Sequence, residues 1–297
     1  MAVRSGIIWQ LRSESVVTRD DVTKVDRNSA RGQLQAVHQT RPRASCCSQM
    51  LFVFLLFLAS DLRAESVSFR VLEASELPVH AFEKQTARAN VLAITGGEGV
   101  RDRAGRSRNY LVKQKATFIS RGLNFYLFPN YSEQEKASYR LRSSQKRAGR
   151  IKALVQAIKT RNGKPVFLIG FSRGSVDVGR FAKIYPHTVS GVVLASGIYT
   201  NDSSKAREYA MEIVVGEQIS TVTLVVHHRN DACHITPFSY AKRFFMKLVA
   251  PEKEFFEYSD GKSSGRACGP LNHHGFEGIE SIVATDISKW LLSRVRY

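Results

Sequence analysis

Six short runs dense in Val, Ile, Leu and Phe, at residues 91–95, 123–128, 166–170, 189–195, 221–227 and 254–258, set the terms for this chain. Most lack the apolar–polar alternation of a half-exposed strand, which marks strands buried on both faces. Stretches of helical period separate them. Ile151, Leu154, Val155 and Ile158 fall on one helix face, and Ile279, Ile282, Val283, Ile287, Trp290 and Leu291 repeat the pattern near the end. Such alternation predicts the α/β class, a mostly parallel twisted sheet with helices on both faces. Right-handed crossovers then bring every strand-to-helix loop to the carboxyl edge of the sheet. Residues 67–72 and 77–82 read as an antiparallel hairpin at the sheet's start. No linker or repeat divides 65–297, so one domain is expected there.

Residues 1–64 read differently. The apolar run 50–59 follows Arg41 and Arg43 and precedes Leu62-Arg63-Ala64, a small-residue cleavage site. Ten apolar residues fall short of the roughly 20 that span a bilayer and match the core of a signal peptide. The preceding residues are polar and Arg-rich without sustained period. They read as an N-terminal extension, or the natural start lies nearer Met50. The expected destination is periplasmic or extracellular, with the membrane met only through this export segment. Of the four cysteines, Cys46 and Cys47 lie in the extension. The remaining pair, Cys233 and Cys268, is expected to form one disulfide in an oxidising compartment.

The third run leads directly into Gly170-Phe171-Ser172-Arg173-Gly174, followed by a helical stretch closed by Pro186. Gly-x-Ser-x-Gly gains meaning in a strand, sharp turn and helix, because the turn lifts the serine hydroxyl to the sheet edge above the helix N-terminus. With this motif in this context, residues 90–297 resemble the α/β-hydrolase superfamily, most of all its small, exported, lidless bacterial members. The resemblance implies Ser172 as nucleophile, followed in chain order by an acid and a histidine. Asp231 stands in His227-His228-Arg229-Asn230-Asp231 after the fifth run, and Asp202 is the alternative acid. His274 in Asn272-His273-His274-Gly275-Phe276 is preferred to His273, since it directly precedes Gly-Phe. A Cys233–Cys268 bond would tie the acid loop to the histidine loop. The resemblance also implies oxyanion N–H donors from Gly97 or Glu98, in Gly96-Gly97-Glu98-Gly99, and from Arg173. A dinucleotide-binding reading of that glycine cluster fails, because Asp102 stands where the last glycine is needed.

The expected activity is that of a serine hydrolase acting on acyl esters through an acyl-enzyme, with no cofactor. Acyl transfer or peptidase action could use the same triad, and a non-catalytic binding protein could share the scaffold. A metal site built from His227, His228, Asp231, Cys233 and His234 matches no familiar zinc spacing, so no metal is expected. Lys and Arg outnumber Asp and Glu by 44 to 26, a net charge of +18. Arg101, Arg103, Arg106, Arg108, Lys113 and Lys115 follow the glycine cluster; Arg140, Arg142, Lys146, Arg147, Arg150 and Lys152 follow the second run. They read as solvated helix faces or as a basic surround suited to an anionic acyl substrate. Without a recognition motif, nucleic acid is not an expected partner. Only about 20 residues, 197–217, are available where this superfamily commonly inserts a lid, so the cleft is expected to be open.

Overall fold

The computed structural model describes residues 65–67, 75–200 and 205–295. The N-terminal extension, the apolar run expected to direct export and Asp202 lie outside these residues. The six apolar runs form six parallel strands: β3 (Ala89–Ile94), β4 (Leu123–Leu127), β5 (Val166–Phe171), β6 (Gly191–Ala195), β7 (Thr223–His228) and β8 (Lys253–Tyr258). Two further strands, β1 (Glu65–Val67) and β2 (Val79–Phe82), pair with each other antiparallel, and β2 runs antiparallel to β4. The sheet order is β1-β2-β4-β3-β5-β6-β7-β8. The expected opening hairpin is present, with its first strand earlier than predicted: Val67 pairs with Val79, and residues 68–74 lie outside the described part.

Unbroken apolar runs are explained by cover on both sides. Leu92, Leu168, Leu194 and Val225 face one core, with α4 (Gln145–Asn162), α5 (Gly174–Ile184) and α7 (Phe238–Lys247). Their chain neighbours Val91, Phe167, Val193 and Leu224 face the other, with α1 (Tyr110–Lys113), α2 (Lys115–Ser120) and α8 (Glu280–Leu292). Full burial of each such side chain contributes about 1.5–3 kcal/mol. The predicted α4 stripe Ile151, Leu154, Val155 and Ile158 is wholly buried. Ser144 caps that helix by accepting from the Arg147 N–H, and Gly163 ends it at φ 68°. On α8 the stripe runs through Val283, Ala284, Ile287 and Leu291; Ile282 is one position off this face and is 54% exposed, contrary to the sequence reading.

Two short elements complete the description near the carboxyl edge, α3 (Tyr139–Arg142) and α6 (Met211–Val214). Between β6 and β7 the described residues hold only α6 and a single 3-10 turn, Arg207–Tyr209.

Candidate active site

β5 ends at Phe171 and α5 begins at Gly174, so the chain reverses within two residues, and Ser172 takes φ 54°. A non-glycine residue at positive φ is costly unless its surroundings enforce it. Here the Ser172 N–H donates to the Ala195 carbonyl at 2.8 Å, binding the turn to β6. The two motif glycines admit close backbone approach. A Cβ on Gly170 would lie 2.4 Å from the Gly174 oxygen, and one on Gly174 would lie 2.2 Å from the Ile94 oxygen. Gly96 is equally constrained: its Cβ would stand 2.7 Å from Ser172 Cβ and 2.9 Å from the Phe171 oxygen. The loop after β3 is therefore pressed directly against Ser172.

Of the two neighbouring histidines, His274 reaches Ser172. Its Nε2 stands 3.1 Å from Ser172 Oγ, and its Nδ1 stands 2.9 Å from Asp231 Oδ2. The 3-10 turn His273–Gly275 carries it, with Phe276 at φ 59° closing the turn and the Ser196 hydroxyl donating to the His274 carbonyl at 3.0 Å. His273 faces elsewhere. Its ring stacks on His228 at 4.3 Å, and its Nδ1 donates to the Asn230 carbonyl at 3.1 Å.

Asp231 is buried and fully engaged. Its Oδ1 accepts from the Cys233 N–H at 2.9 Å, and its Oδ2 accepts from Thr236 Oγ1 at 3.0 Å. A second imidazole stands against it, His227 Nε2 at 3.3 Å from Oδ2. Burial alone would raise this carboxyl, but the charge and hydrogen bonds of His274 and His227 outweigh burial and hold it well below the usual carboxylate range. The anion thus fixes Nδ1–H on His274 and leaves Nε2 as acceptor for the serine proton. Cys233 and Cys268 are joined, with Cα atoms 4.5 Å apart, and this disulfide links the Asp231 loop to the segment leading to His274.

Several donors of the metal alternative are committed to other partners, although the buried His227 Nδ1 has none among the described residues. His228 Nε2 donates to the Asp260 carbonyl at 2.6 Å while its Nδ1 accepts from the Asn230 N–H at 3.0 Å. His227 Nε2 donates to the Thr236 carbonyl at 2.8 Å, and the Cys233 sulfur is in the disulfide.

In the glycine loop Gly97 has φ 59°, with open space where a Cβ would project. The Glu98 carboxylate is drawn outward to Arg101 at 2.7 Å and Lys136 at 3.8 Å. Among the described residues the Gly97, Glu98 and Arg173 N–H groups take no backbone partner. Of the basic stretches, Arg103, Arg106, Arg108, Lys113, Arg140 and Lys146 are exposed, as a solvated face requires, but two members differ from both expectations. Arg142 and Arg147 are neither solvated nor open to substrate; both are buried against Asp177 of α5, because a guanidinium taken out of water needs a carboxylate. Arg101, Arg103, Arg106, Lys113 and Arg150 also pair with acids. Arg173 has no acidic partner among the described residues; its guanidinium lies 4.7 Å from the Tyr139 ring centre, with Nη1 3.5 Å from the Gly97 oxygen. Sequence reasoning missed Gly96, Thr236, His227 and the buried arginine cluster. A glycine beside the nominated donors was the one available signal.

No protein-family model and no curated protein matches this sequence. Solved structures do resemble it. A monoacylglycerol lipase from Paleococcus ferrophilus superposes with TM-score 0.53 at 17% identity, over 74% of this chain and 99% of its own. A dienelactone hydrolase from Anabaena variabilis gives 0.54 at 18%, over 79% and 99%. An esterase from Pyrococcus furiosus gives 0.55 at 14%, over 74% and 87%. Together with the strand order and the turn at Ser172, these likenesses show that the chain has the α/β-hydrolase fold.

Proposed function

We propose that this protein is a serine hydrolase that cleaves acyl esters. The observation that carries the reading is the continuous contact from Ser172 Oγ through His274 to Asp231, 3.1 Å and 2.9 Å, built on a turn that holds the serine at positive φ. A free serine hydroxyl is a weak nucleophile until a neighbouring base takes its proton. His274 Nε2 accepts that proton as Oγ attacks the acyl carbonyl. Asp231 orients the ring and stabilises the imidazolium. The Arg173 N–H, with Gly97 or Glu98, receives the developing oxyanion. His274 then protonates the departing alkoxide, and water, deprotonated by the same ring, releases the acyl group.

The substrate is a small acyl ester carrying an anionic group. Support comes from the Arg173 guanidinium beside the glycine loop, which lacks an acidic partner among the described residues. The disulfide and the signal-like run support action in an oxidising, exported setting. Among the described residues no helix is long and apolar enough to cross a membrane.

A fluorophosphonate probe and a panel of ester, thioester and amide substrates test the reading. Expected are labelling and ester turnover in the unaltered protein, with both lost in Ser172→Ala. Absence of labelling would favour a binding protein on this scaffold, and faster amide cleavage would favour a peptidase. For the anionic preference, Arg173→Gln should raise KM for a carboxylate-bearing ester and leave its neutral isostere unaffected; equal effects would remove that claim.

A further inference from the structure

Behind the glycine loop lies a buried charge cluster that the triad does not use. Arg142 and Arg147, 0% and 1% exposed, share the two carboxylate oxygens of Asp177, itself 0% exposed. Arg147 extends the cluster to Glu135 at 3.6 Å, and Arg142 Nε donates to the Ala137 carbonyl at 3.0 Å. The remaining arm of Arg142 reaches the glycine loop: Nη2 donates to the Gly97 carbonyl at 3.3 Å and approaches the Gly96 carbonyl at 3.5 Å. Asp177 stands five residues after Ser172, on the helix that the nucleophilic turn opens. One guanidinium thus joins that helix to the loop nominated for the oxyanion.

The consequence follows from peptide geometry. Every peptide here is trans, so each C=O points opposite to the N–H of the same unit. The Gly96 carbonyl shares its peptide plane with the Gly97 N–H, and the Gly97 carbonyl with the Glu98 N–H. The Gly96 carbonyl also accepts from the Gly99 N–H at 3.1 Å, so Arg142 shares that hold and acts most directly on the Gly97 carbonyl; with both carbonyls held, both N–H groups are turned the other way. Gly97, at φ 59° with no neighbour within 4 Å of a would-be Cβ, meets no steric bar to turning its peptide. Apart from Arg142, its carbonyl meets only Arg173 Nη1 among the described residues, at the longer 3.5 Å. A buried ion pair adds little stability over apolar side chains of similar volume. What it adds in this place is orientation.

We propose that Arg142, anchored by Asp177, is a positioning residue that aims the Gly97 and Glu98 N–H groups at the oxyanion. The inference rests on Ser172 being the nucleophile, and its test separates the two claims. Thionoesters place a poor hydrogen-bond acceptor where the oxyanion forms, so the ratio of ester to thionoester kcat/KM reports the donors and not the nucleophile. Arg142→Lys keeps a cation for Asp177 but cannot span both contacts. It should lower ester kcat about 10–100-fold, within the cost of losing one donor, leave KM within about threefold, and lower the ester-to-thionoester ratio. Fluorophosphonate labelling of Ser172 should persist. Arg147→Lys keeps a cation beside the other Asp177 oxygen, leaves the Arg142–Asp177 contact in place and touches no loop carbonyl, so its ratio should stay at that of the unaltered protein.

Asp177→Asn is the second variant, near-isosteric and expected to lower the ratio as Arg142→Lys does. An unchanged ratio in a folded Arg142→Lys or Asp177→Asn protein overturns the proposal, as does an equal fall in Arg147→Lys. If neither variant folds, the unaltered protein decides. With an aryl boronic acid bound, the Gly97 and Glu98 amide protons should move downfield while their carbonyls retain through-bond coupling to a guanidinium nitrogen. Unmoved amides, or no coupling, overturn it. Loss of all labelling at Ser172 in the unaltered protein would instead refute the serine hydrolase reading.

Discussion

Removing the disulfide tests whether the acid and histidine loops are held by a covalent brace. Cys233 and Cys268 are separated by 35 residues and joined with Cα atoms 4.5 Å apart. In the loop-closure account, a cross-link of that span removes about 12.7 cal/mol/K from the unfolded chain, or about 3.8 kcal/mol at 25 °C. For a domain of this size, about 2–4 °C per kcal/mol places the Tm of Cys233→Ala/Cys268→Ala about 8–15 °C below that of the oxidised protein. The effect should not stop at stability. Cys233 N–H holds Asp231 Oδ1 at 2.9 Å, so slackening this loop loosens the acid behind His274. At a temperature well below both midpoints, kcat should fall while labelling of Ser172 persists. The assay is thermal unfolding and ester turnover with and without dithiothreitol. The reductant should bring the unaltered protein to the level of the double variant and leave the variant unmoved. A Tm difference under about 3 °C, or the same response to dithiothreitol in both proteins, would refute the reasoning, since either outcome leaves the brace contributing far less than its loop length requires.

Three other outcomes are expected. Gly96→Ala drives a Cβ to within 2.7 Å of Ser172 Cβ and 2.9 Å of the Phe171 oxygen, so ester kcat should fall by about 10² or more, with about 1–3 kcal/mol lost in denaturant unfolding; near-unaltered kinetics would show that the loop does not press on the nucleophile. Asp231→Asn should lower kcat by about 10⁴ with the fold intact by circular dichroism, because an amide favours the wrong His274 tautomer. Acid should destabilise the protein in two stages. Desolvation holds His228 below its ordinary 6.5, and Asp231 lies below its ordinary 3.8 through His274 and His227 despite burial. In each case the unfolded chain binds the proton more readily. Stability is therefore full above about pH 6.5, falls first as His228 must charge, and falls again below about pH 4 as Asp231 is protonated. A Tm profile over pH should flatten in its upper part for His228→Gln and in its lower part for Asp231→Asn.

Much of this was legible along the chain, for a physical reason. A strand buried on both faces must be apolar at nearly every position, so five runs announced the five central strands β3 to β7, while the sixth formed the half-buried edge strand β8. The spacing of Ile151, Leu154, Val155 and Ile158 announced the buried face of α4. The turn at Ser172 demands glycines two residues either side, because backbone passes where a Cβ would stand. Each of these requirements acts within a few residues, and so leaves a local trace. Packing settled the rest. His273 and His274 are chain neighbours with the same chemistry; motif position favoured His274, and the stacking of His273 on His228 with the 3.1 Å approach of His274 to Ser172 decides between them. Arg142 and Arg147 carry the same charge as the exposed arginines around them. They become buried braces because Asp177, 35 and 30 residues along in α5, arrives between them when the helices close over the sheet. Periodicity encodes which face of an element is covered; the partner that a polar side chain meets there is fixed by distant segments converging, and no local pattern carries that information.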